Sequence, residues 1–122
     1  MRNLSSYETR SWARGRADVI GAPVLDVAGR RTGELDDIVV DARTGLVCYA
    51  VLALGAGETR RLYAVPWRLL TPVASGHGFS LPLTARRLQG APSFAADAWP
   101  DFGDRRALAV VHAYFGVPPD TA

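Results

Sequence analysis

Gly33-Glu34-Leu35-Asp36-Asp37-Ile38-Val39-Val40 leads through Asp41-Ala42-Arg43-Thr44-Gly45 into Leu46-Val47-Cys48-Tyr49-Ala50-Val51-Leu52-Ala53-Leu54, and this stretch decides the fold. Side chains on a strand alternate faces with a period of two. Leu35 keeps one parity, whereas Ile38 and Val40 keep the other. One residue too many lies between them, so the pattern predicts a β-bulge at Asp36-Asp37 that bends the strand as a small barrel requires. Asp41 to Gly45 reads as a hairpin loop: Asp can bond its own backbone, and Gly accepts the left-handed conformation after a type I turn. Leu46 to Leu54 is the strongest strand. Val47, Tyr49 and Val51 are apolar on one parity, and Cys48, Ala50 and Leu52 on the other. A strand buried on both faces reads this way, so one face should line a barrel and the other should be covered.

Working outward, Val19 to Asp26 is apolar with Gly21 and Pro23 inside it. Proline cannot donate to a ladder, which predicts an edge or kinked strand there. Ala28-Gly29-Arg30 is a turn, Gly55-Ala56-Gly57-Glu58 closes a second hairpin, and Arg61 to Val65 is the last strand of the meander, ended by Pro66. Trp67, Leu69 and Leu70 fold back as apolar anchors. The alternation, with its one slip, predicts a barrel core of Val24, Leu35, Ile38, Val40, Val47, Tyr49, Val51, Tyr63 and Val65.

These residues carry a resemblance. Val19-Ile20-Gly21 with Val24, Asp26 and Gly29 comes first, then Gly33, Leu35, Asp37-Ile38 and Val40-Asp41 with Thr44-Gly45. Tyr49 and Val51 follow, and then Val65-Pro66-Trp67 with Leu70. The ordered set resembles the PRC-barrel family, which includes the cytoplasmic domain of the photosynthetic reaction-centre H subunit and the C-terminal domain of the ribosome maturation factor RimM. The resemblance implies a mainly β fold, a small barrel used for assembly and interaction, and no catalytic residues or cofactors to carry over.

At 122 residues the chain is one domain by size. Residues 17–83 read as the barrel, 1–16 as a mobile polar tail, and 84–122 as a C-terminal extension. Domains of about 60 residues are marginal alone, so the extension or a second subunit is expected to cover the barrel. Thr84 caps a short helix over 85–89, and Asp104 caps an amphipathic helix over 105–115 that stops at Gly116. Cys48 is the one cysteine, so no internal disulfide forms, and its place in the best strand reads as a small buried hydrophobe. No apolar run reaches the length of a membrane span, and residues 1–16 hold no signal-peptide core, which points to a soluble cytoplasmic protein. All 14 basic side chains are arginine, yet the net charge is only +2, which argues against nucleic-acid binding.

The candidate sites are few. Glu34, Asp36, Asp37 and Asp41 lie along a strand without the spacing of a Ca²⁺ loop, so no metal site is expected. His77 and His112 have no partner ligands at zinc spacing, and nothing pairs either with Ser75, Ser80 or Ser93 as base and nucleophile. Arg30-Arg31 and Arg60-Arg61 flank the first and third turns of a meander, so they should share one end as an arginine rim. Such a rim is either solvated surface paired with acids or a contact for an acidic protein, RNA or lipid headgroup. Trp12 reads as cover for the barrel's outside or as an anchor for a partner or membrane surface. Phe94, Trp99, Phe102, Tyr114 and Phe115 are more aromatic surface than one short helix is expected to hide, which predicts a homodimer built through the extension. The functional expectation is a non-enzymatic assembly module with an unknown protein partner. The alternatives are an accessory of ribosome or RNA processing, or of a membrane complex of photosynthetic type.

Overall fold

An eleven-residue strand, Arg31–Asp41, is the spine of the molecule in a computed structural model. The structure describes Tyr7–Thr9 as backbone and residues 20–74 and 76–118 in full. In chain order the strands are β1 (Tyr7–Thr9), β2 (Pro23–Leu25), β3 (Arg31–Asp41), β4 (Val47–Leu54), β5 (Arg61–Pro66), β6 (Thr71–Pro72) and β7 (Phe79–Ser80). Helices α1 (Ala85–Gln89) and α2 (Arg105–Phe115) follow. One curled sheet runs β5-β4-β3-β2-β7-β6, and β1 joins β3 beyond the end of β2. All pairings are antiparallel except β2 with β7.

The bulge foreseen in β3 is present. Leu35 faces Leu52 and Asp37 faces Val51, which leaves Asp36 as the extra residue. A second bulge lies in β4: Val39 faces Tyr49 but Val40 faces Val47, so Cys48 is the extra residue there. β2 lies inside the sheet between β3 and β7 rather than at an edge. Pro23 is tolerated because it is the first residue of the strand, and the register shifts between Val24 and Leu25, which is the kink. Tyr7–Thr9, read as part of a mobile tail, pairs with Val39–Asp41.

Two apolar layers result. Inside the barrel lie Val24, Leu35, Ile38, Val40, Ala50, Leu52, Leu54, Tyr63 and Val65, with Val47 partly buried against them. On the outer face, Val39, Tyr49, Val51, Ala53, Leu62 and Ala64 pack beneath Phe102, Leu108 and Val111 of the extension. Tyr49 and Val51, expected in the barrel core, therefore lie on its outside. The second bulge is the reason: it moves Val47 to the inner face and leaves Tyr49 and Val51 outward, opposite the inward Ala50 and Leu52.

The extension is held by named contacts. The Thr84 hydroxyl accepts from the Arg87 amide, and the Asp104 carboxylate accepts from the Arg106 amide, so each helix start is capped. α2 ends at Gly116, whose φ of 69° is the left-handed cap that a side chain would resist. Leu62 and Phe94 exchange backbone hydrogen bonds, which ties the incoming chain to the β5 edge. Arg87 donates to the Tyr114 carbonyl at 2.7 Å, the Tyr114 hydroxyl donates to the Arg87 carbonyl at 2.6 Å, and the guanidinium sits over the Tyr114 ring. This reciprocal clasp joins α1 to the end of α2.

Candidate functional site

The polar side chains of the sheet mostly hold turns. Asp26 accepts from the amides of Ala28 and Arg30, both at 2.9 Å. Asp37 is buried at the first bulge, where its carboxylate accepts from the Ile38 amide. Asp41 accepts from the Arg43 amide at 2.9 Å, with the Arg43 guanidinium beside it. Burial opposes the charge on Asp41. The Arg43 amide, the hydrogen bond and charge of the Arg43 guanidinium, and the Thr44 amide outweigh it and hold the carboxyl below its usual range. Among the described residues no group of three or more His, Cys, Asp or Glu is placed to hold a metal ion, and no helix is long and apolar enough to cross a membrane.

The register places the arginine pairs at one end of the sheet, since Arg31 opens β3 and Arg61 opens β5 opposite Leu54. Each of three has a nearby partner. Arg31 pairs with Glu34 at 3.3 Å, Arg60 with Asp36 at 2.6 Å, and Arg61 donates to the Ser93 hydroxyl at 3.1 Å. Asp36, the bulged residue of β3, thus anchors the start of β5. Arg30 lies in the turn between β2 and β3, where its amide donates to Asp26.

The aromatics of the extension turn toward their own barrel. Phe94, Trp99 and Phe102 form a triangle with centroid separations of 5.5, 6.4 and 6.1 Å. Phe102 reaches Tyr49 at 5.4 Å, and Tyr114 packs edge-on against Phe115. Phe102 is buried, whereas Phe94, Trp99, Tyr114 and Phe115 stay half-buried, so part of the aromatic surface that motivated a dimer packs within the chain. Trp12 and Ser75 lie outside the described residues. His77 is exposed in a loop, and the Ser80 hydroxyl faces the Thr71 carbonyl.

A cleft of about 150 Å³ opens at the other end of the sheet, where the second bulge meets the end of α2. Val47 and Cys48 come from β4, Pro66 from β5, and Trp67 and Arg68 from the 3₁₀ turn that follows it. His112, Val117 and Pro118 close the far wall. Trp67 is braced by Phe79, with ring centroids 5.6 Å apart. His112 Nδ1 lies 2.9 Å from the Val117 carbonyl, which can only accept, so Nδ1 carries the proton. Nε2 lies within hydrogen-bond distance of the Tyr49 hydroxyl, at 2.6 Å. Both ring nitrogens are engaged, and the imidazole pins α2 to β4. Sequence reasoning did not bring these residues together. Tyr49 and His112 are 63 positions apart, and no local spacing signals their meeting.

A short, bulged and mainly antiparallel barrel roofed by a C-terminal helix is the class of protein defined here. A family model described as PRC-barrel domain matches residues 13–79, more than half of the chain, and the protein belongs to that family. No curated protein matches the chain.

Proposed function

We propose that this protein is a non-enzymatic PRC-barrel module that acts by binding a protein partner. The observation that carries the reading is how its reactive side chains are engaged. His112 and Tyr49 hold each other, and Asp26, Asp41 and Asp104 hold backbone amides. A general base needs a nucleophile or substrate proton within hydrogen-bond reach, whereas these groups serve the fold. Self-association belongs to the same proposal, with the half-buried aromatics of the extension as its first candidate surface. Val27, Leu46 and Val110 are 62%, 65% and 56% exposed and are further apolar candidates for it.

Light scattering across a concentration series tests self-association. A dimer's thermal midpoint rises with protein concentration, whereas a constant midpoint and a constant mass near 13.1 kDa would remove self-association from the proposal. Affinity capture from the native cell under gentle conditions tests the partner. A stoichiometric protein supports the reading. Co-purifying RNA would favour the ribosomal alternative instead.

A further inference from the structure

We draw no further inference here: the strongest candidate, the cleft between the β4 bulge at Cys48 and the end of α2, carries nothing because nothing in the structure shows what fills it.

Discussion

Replacing Val51 by alanine tests whether the outer face of the sheet is a second core. Val51 is fully buried, opposite Asp37 on β3 and Ala64 on β5, and its layer is closed by Phe102, Leu108 and Val111. The substitution removes two methyl groups, about 1.6 kcal/mol of transfer free energy at about 0.8 kcal/mol each. A cavity contribution adds to this where neighbours cannot collapse. The adjacent Ala53 and Ala64 have no side chain to extend into the gap, so the expected loss is about 1.5–3 kcal/mol by urea denaturation. The magnitude alone does not separate the two faces, so the assay is a pair of double-mutant cycles. Val51→Ala with Leu108→Ala shares one layer and should couple by about 0.5 kcal/mol or more, whereas Val51→Ala with Val65→Ala lies across the sheet and should add within about 0.3–0.5 kcal/mol. Coupling to Val65 instead of Leu108 would return Val51 to the barrel interior and refute the two-layer reading. A loss under about 0.5 kcal/mol would place Val51 on the surface.

Gly33→Ala should destabilise by about 1–3 kcal/mol in the same denaturation assay, because a Cβ there would lie 2.5 Å from the Ala53 carbonyl and 2.8 Å from Leu54 Cδ1; an unchanged midpoint would mean that β3 and β4 are further apart. Tyr49→Phe removes the hydroxyl that bonds His112 and should cost about 1–2 kcal/mol while leaving the sheet intact by circular dichroism. Because the Asp41 carboxyl is held below its usual range, the unfolded chain binds the extra proton first as pH falls. Its contribution is full above about pH 4 and is lost as pH drops through the folded value, so urea midpoints at pH 6 and pH 3 should differ more in the parent than in Asp41→Asn. Equal differences would exclude it. Arg60→Ala should cost no more than about 1 kcal/mol, since that pair is roughly one third exposed on both sides.

The parts of the fold that could be read from the chain are those that leave a mark on alternation or capping. The β3 bulge breaks the parity between Leu35 and Ile38, with two acids at the break. The helix caps at Thr84, Asp104 and Gly116 are local chemistry and were equally plain. The β4 bulge left no mark, because Val47, Cys48, Tyr49 and Ala50 are apolar on both parities and a slip among them changes nothing in the pattern. That silence placed Tyr49 and Val51 on the wrong face. It also concealed the cleft, one side of which comes from the middle of the chain and the other from the end of α2. The arginine rim was legible in position, because register follows from the hairpins. Its pairing with Glu34, Asp36 and Ser93 was not, because a side chain reaching across strands depends on the twist.

The two bulges also set how the length of this hairpin can change. Position numbers of facing residues add to 87 at Leu35 and Leu52, to 88 from Asp37 and Val51 to Val39 and Tyr49, and to 87 again at Val40 and Val47. One extra residue on β3 is thus matched by one on β4, and the frame at the Asp41–Gly45 turn is the same as before either. Deleting Asp36 alone, or Cys48 alone, throws the turn out of frame with the ladder below it. Deleting both restores an unbroken alternation, with Leu35, Ile38, Val40, Val47, Ala50 and Leu52 still inward. The hairpin can therefore lose or gain length by concerted pairs, and a lineage that lost one extra residue would be under pressure to lose the other.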